Sequence, residues 1–306
     1  RGGGGEVAKS LEYYLKGDTY YHYFDRNANA EARRLYRLAV DEERAGERPD
    51  FARPFSDLAY SILHAWLFNW DVEASLEEAH RLAVQAVEIA ADDYYPRWML
   101  AAVLLYLRRY EESDTAYREA MSLAADQAIL EEQRALRVDW ADYLLLTGEP
   151  EAALREVEEA IRQSPVPERW FHWVHAWALY ETCQFQASIG ALRRLRSPRN
   201  AIRKNLIANF VALGDQAREQ SAADAENYFE LARFHARRFL AEELGQGVAY
   251  APRGQLVWPG LSQVEDRLPF RDPARRNRWK GHLERAFEGL VQPAREDLSG
   301  SPASAL

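Results

Sequence analysis

Apolar residues recur at i, i+3, i+4 and i+7 through 97–124 and 131–162, while no stretch alternates apolar and polar positions over the roughly 4–8 residues of a half-buried strand. The pattern predicts an all-α chain. Sparse glycine (16) and proline (13), set among long runs rich in Ala, Leu, Glu and Arg, point the same way.

The helical pattern repeats. Residues 134–165 carry Trp140 and Ala141 on a first helix, Gly148 and Pro150 at a turn, Ala153, Val157 and Ala160 on a second helix, and Pro165 as its stop. The same frame fits 94–123 through Leu100, Ala101, Tyr110, Tyr117 and Ala120, and 169–198 through Ala176, Leu179, Phe185, Leu192 and Pro198. Looser copies begin near residue 10 (Gly17, Ala32, Tyr36, Ala39), near 52 (Leu58, Ala59, Ala79, Ala83, Ala86) and near 200 (Gly214, Ala225, Phe229, Ala232). Six units result, spaced by about 31 to 42 residues. The expected organisation is a flexible linker at 1–9, a helical-repeat solenoid at 10–242 and an irregular, glycine- and proline-marked loop at 243–271. A helix at 272–291, opened by Asp272 and Pro273, would cap the last repeat, ahead of a disordered tail at 292–306.

Composition removes several function classes. The chain has 306 residues, 47% of them hydrophobic, and 39 Lys+Arg against 48 Asp+Glu give a net charge of −9, without the basic footprint of a nucleic-acid binder. The lone cysteine, Cys183, excludes an internal disulfide framework and any multi-cysteine metal site. The longest nearly pure apolar run, Trp98 to Leu107, is about half of a membrane span. The chain therefore reads as soluble, with the cytoplasm favoured over the periplasm. It opens on Arg1 and a glycine tract in place of methionine, which leaves room for a signal, anchor or effector domain ahead of it.

The repeat frame resembles the tetratricopeptide repeat (TPR) superfamily over roughly residues 10–242, most closely over 94–198. The family's turn glycine is Arg108 in the third unit and Cys183 in the fifth, and the alanine opening the second helix is Ser113 or Ser188. The series formed by 50–70, 107–113, 172–195 and 268–290 is similar to repeat regions attached to bacterial class III adenylate cyclases and winged-helix regulators. There the repeats are a sensory or scaffolding part, and this chain shows no cyclase or DNA-reading domain. The resemblance implies a right-handed superhelical solenoid of about six helix pairs and a non-enzymatic scaffold role in a bacterial complex or signalling system.

The family's concave positions map here onto Tyr14, Asp18, Tyr21 and His22 in the first unit, Tyr60 and His64 in the second, and Tyr95, Trp98 and Tyr106 in the third. In the fifth they map onto Trp170, Trp173, Trp177 and Tyr180, beside Glu181. Trp140 reads as core, whereas the fifth-unit tryptophans fit core or groove equally. A groove of amphipathic rings suits an apolar or aromatic-containing peptide segment of a protein partner. A hydrophobic small ligand, in a sensing module, is the alternative, as is a structural subunit of a larger assembly; self-association stays open. Only Lys204 and Asn205 match the basic clamp by which some family members hold acidic chaperone tails, and the central units offer Asp139 and Asp142 instead. Arg193, Arg194, Arg196, Arg199, Arg203 and Lys204 form a basic run that is either a solvated face or a second docking surface for an acidic or phosphate-bearing partner.

No catalytic, metal or cofactor motif is found: phosphate loops, dinucleotide loops, nucleophile elbows and zinc-protease signatures are all missing. His172 and His175 share a helix without a local carboxylate or cysteine partner, Asp18 and His22 read as a surface pair, and Cys183 has no charge to stabilise a thiolate.

Overall fold

The computed structural model describes residues 9–23, 25–46, 49–68, 70, 71, 73–127, 130–195, 200–245, 267–288 and 290. Residues 1–8 of the expected linker, the tail expected at 292–306, most of the expected 243–271 loop, and Arg196 and Arg199 lie outside these residues, while Lys9 already opens a helix. Thirteen helices and no strand occur among the described residues. They are α1 (Lys9–Tyr21), α2 (Arg26–Ala45), α3 (Arg53–Leu67), α4 (Leu76–Ile89), α5 (Tyr94–Tyr106), α6 (Tyr110–Asp126) and α7 (Leu130–Thr147). There follow α8 (Pro150–Gln163), α9 (Arg169–Glu181), α10 (Phe185–Arg193), α11 (Asn200–Ala217), α12 (Ala222–Gly245) and α13 (Pro273–Phe287). The all-α expectation from periodicity holds. The chain divides into two compact units, 1–195 with 267–273, and 196–266 with 274–306.

Local chemistry explains the helix boundaries. Asp25, Ser75 and Asp93 accept bonds from the first-turn amides of Ala28, Glu78 and Tyr95, which would otherwise lack partners. Proline opens α8 and α13 and sits in the first turn of α3, where no amide donor is needed. Three consecutive repeats share one stop signal. Arg108, Gly148 and Cys183 have φ of 60°, 107° and 60°. The following amides of Arg109, Glu149 and Gln184 reach back to the carbonyls of Leu104, Leu144 and Leu179 at 3.0, 2.8 and 2.8 Å. This is the Schellman arrangement, in which a left-handed residue turns the chain and satisfies helix-end carbonyls.

In the first unit α1/α2, α3/α4, α5/α6, α7/α8 and α9/α10 form successive pairs, and each second helix packs on the next first helix. Alanines with no exposed surface, such as Ala32, Ala59, Ala83, Ala101, Ala120, Ala141 and Ala160, let the paired backbones approach. In the third and fifth repeats, a serine occupies the alanine position and bonds across the pair: Ser113 Oγ donates to Ala101 O at 2.8 Å and Ser188 Oγ to Ala176 O at 2.6 Å. Glycine serves a different purpose in α1, where Gly17 leaves room for the ring of Tyr36 against its Cα. Successive first helices touch, α1 with α3, α3 with α5, α5 with α7 and α7 with α9, more closely than any pair of second helices does. The row of first helices thus forms the inner, concave layer of this unit.

The second unit contains the pair α11/α12 with α13 packed on it. Gly214 gives way to the Phe229 ring as Gly17 does to Tyr36. Phe287 of α13 meets Phe239 edge-on at 5.6 Å, and Arg285 pairs with both carboxylate oxygens of Asp215 at 2.6 and 2.8 Å.

Candidate functional site

The inner layer of the first unit carries one connected polar–aromatic face. Helical spacing puts Asp57, Tyr60 and His64 at i, i+3 and i+7 on α3, and Tyr14 and Tyr21 seven apart on α1. Tyr21 stacks on His64 with centroids 6.0 Å apart and rings 8° from parallel, its hydroxyl 3.2 Å from Nδ1, and Tyr60 closes on His64 at 4.5 Å. Tyr14 and Tyr95 both bond the Asp57 carboxylate, and the Arg53 guanidinium lies 3.7 Å from the Tyr95 ring centre. Tyr95 meets Trp98 edge-on at 5.8 Å, and the Trp98 indole N–H donates to Asp139 on α7 at 2.5 Å. Five side chains, Tyr14, Asp57, Tyr95, Trp98 and Asp139, therefore link four first helices.

Burial sets the charge state of this face. It pushes Asp57 up to about 6 against the bonds from Tyr95 and Tyr14 and the nearby Arg53. Asp139 is raised to about 7, burial outweighing the Trp98 bond, and Asp142 reaches about 7 through burial and then the charge of Asp139. Asp142 Oδ1 is buried and accepts no hydrogen bond among the described residues. Burial also drives His64 down to about 4, so it is neutral at physiological pH. Three recessed carboxylates that ionise near neutrality, with Arg53 the cation that acts on them among the described residues, favour a positively charged occupant.

Tyr14, Tyr21, Tyr60, His64, Tyr95 and Trp98 come together on this face, while Tyr106 turns its ring edge-on to Trp66 at 6.5 Å. The α9 residues separate. Trp170 bonds Glu168 at 2.9 Å beside Phe171, half-buried Trp173 lies 6.2 Å from Trp177, and Trp177 is buried. Tyr180 is 2% exposed and packs on Phe185 of α10 at 5.5 Å. Trp140 is buried, stacked on Tyr143 at 4.8 Å. Of the basic run, Arg193 and Arg194 are exposed at the end of α10, and Lys204 is buried over the Phe239 ring at 5.2 Å. His22 and Asp18 form an exposed pair at 3.5 Å, and His175 faces Glu158 at 3.5 Å. No metal-holding cluster occurs among the described residues.

Sequence reasoning missed Asp57 and Arg53, although the i, i+3, i+7 relation of Asp57 to Tyr60 and His64 was the available signal. It also missed a non-helical strap at 268–271, within the expected irregular loop, whose Leu268 and Phe270 are buried on the first unit. Here the signal was weaker, two large apolar residues flanking a proline inside a loop.

No helix is long and apolar enough to cross a membrane among the described residues. No family model matches the chain, and no curated protein matches it. Solved structures similar to it include PilF of Pseudomonas aeruginosa, 16% identical with a TM-score of 0.48 over 76% of this chain and 97% of that one. A tetratricopeptide repeat protein from Parabacteroides merdae is 14% identical with a TM-score of 0.44, over 90% and 99% of the two chains. The Rap conjugation gene regulator of plasmid pLS20, solved in complex with the Phr* peptide, is 14% identical with a TM-score of 0.46, over 92% of this chain and 76% of that one.

Proposed function

We propose that this chain is a non-enzymatic, tetratricopeptide-type scaffold whose first unit holds a protein or peptide segment on the aromatic–acidic face of its first helices. The observation that carries the reading is the linkage Tyr14–Asp57–Tyr95–Trp98–Asp139 across four repeats. A solenoid's concave layer has no need of buried carboxylates for its own packing, and burying them costs stability. A ligand bearing Lys or Arg among apolar residues repays that cost by pairing with Asp139 and Asp142, while the rings take its apolar groups and cationic heads. The unmet acceptor at Asp142 Oδ1 and the unmet donor at Trp173 Nε1 suit a peptide backbone or polar side chain.

The test is a peptide library displayed against the purified chain, followed by binding measurements with Asp139→Asn and Trp98→Phe. Enrichment of segments combining basic and apolar residues, lost in Asp139→Asn, is the expected result. Binders enriched without positive charge, or equal affinity in the variants, would move the site away from this face.

A further inference from the structure

Leu268, Pro269 and Phe270 are buried although they belong to no helix. Their three carbonyls are met by two residues of the third repeat: Arg108 donates to Leu268 O and Phe270 O, each at 3.4 Å, and the Tyr110 hydroxyl donates to Pro269 O at 3.2 Å. The next amide, of Arg271, donates to Leu146 O at the end of α7 at 2.8 Å. Proline at the centre withholds an N–H that burial would oblige the surface to satisfy. The ring of Phe270 meets Trp177 edge-on at 5.8 Å. A cation marks each end. Arg267 donates to Trp66 O and lies 5.0 Å from the Trp66 ring centre, while Arg271 lies 5.6 Å from that of Tyr110 and pairs with Glu111 at 3.0 Å.

This surface, drawn from the second to the fifth repeat, meets the main chain through its carbonyls and one amide, buries two apolar side chains, and places a ring or carboxylate under a cation at each end. Those are the means by which domains hold short non-helical peptides. We propose that residues 267–271 are an internal ligand on a peptide-docking track, and that the external occupant of the track is a partner segment of the same chemistry, an apolar–proline–aromatic core between two arginines. The net charge of −9 favours approach of such a segment. A tethered occupant competes at an effective concentration of about millimolar order, so the intact chain masks the track until a tighter segment displaces the strap. The residues that carry this inference, Trp66, Arg108, Tyr110 and Leu146, are not those of the aromatic–acidic face, and it stands without that reading.

The experiment uses the full chain and a fluorescein-labelled peptide, Arg-Leu-Pro-Phe-Arg, followed by anisotropy. Leu268→Ala with Phe270→Ala empties the apolar contacts and is expected to raise peptide affinity about tenfold over the parent. Adding Arg108→Ala is expected to cancel the gain. Equal affinity in parent and double variant would mean that the strap is only a structural tie, and would overturn the proposal. Should the double variant unfold, hydrogen exchange on the parent decides: excess peptide is expected to accelerate exchange at the Arg271 amide, and unchanged protection under saturating peptide overturns the proposal equally.

Discussion

Arg108 holds the left-handed backbone conformation that Gly148 holds one repeat later, and its side chain reaches the strap carbonyls that a glycine could not. The conformation costs a residue with a Cβ about 1–2 kcal/mol. Arg108→Gly should therefore leave the melting temperature near that of the parent while removing exchange protection at the Arg271 amide. Cys183→Gly, with the same φ and an exposed side chain, is expected to raise stability by up to about 1 kcal/mol in urea unfolding. An Arg108→Gly chain with full protection at Arg271 would show that the guanidinium does not hold the strap.

Ser113 and Ser188 make equivalent bonds two repeats apart. Each Ser→Ala replacement is expected to cost about 1 kcal/mol, the net worth of a buried hydrogen bond. The sites share no partner, so the double variant should lose the sum. Denaturant unfolding of the singles and the double measures this, and a cost near zero would assign the serines to packing alone.

The acidic face gives a pH signature. A carboxyl whose folded pKa lies above its unfolded value supports stability fully below the unfolded value, near 4, and loses that support as pH rises through the folded value. For Asp142 the loss falls between about pH 4 and about 7. Asp142→Asn removes it, so the variant should gain on the parent by roughly 1–3 kcal/mol between pH 5 and 8. The difference between the two chains is the quantity to follow, because His64, depressed to about 4, loses its own contribution in the opposite direction as pH falls below about 6.5. A pH-independent difference would sink the assignment. Binding of a basic segment is expected to strengthen over the same interval.

Neighbouring tryptophans on α9 should behave differently. Trp177 is 5% exposed and packed against Phe270, so Trp177→Ala is expected to cost about 3–5 kcal/mol. Half-buried Trp173 should cost markedly less and affect partner affinity more. Melting temperature and affinity measured on both variants separate the roles, and equal destabilisation would make Trp173 a core residue as well.

The helix pairs are legible in the sequence because each satisfies a local rule: a 3.6-residue apolar period, small residues where backbones cross, and a chain reversal at a fixed offset. That offset located Arg108 and Cys183 at the turn even though neither is glycine. The face was legible in its rings and not in Asp57, since an aspartate in a helix normally signals solvent; only the packing of α1 and α5 around it reveals burial. The strap was illegible. Its partners Trp66, Arg108 and Tyr110 lie 159 to 201 residues away, and nothing in the spacing of Leu268, Pro269 and Phe270 encodes that distance.

The same separation has a kinetic meaning. An array of helix pairs is stabilised by each pair and its neighbours, so it can form from any point and fray from either end. A segment that binds repeats two to five together adds contacts of very high sequence separation to an otherwise local topology, and such contacts slow the last step of folding while making loss of structure more nearly all-or-none. On the ribosome, at about 5–20 residues per second, α3 to α10 are complete several seconds before residue 267 is made. Through that interval the nascent chain exposes Trp66 and Trp177 without their strap, a window in which a partner segment meets no internal competitor.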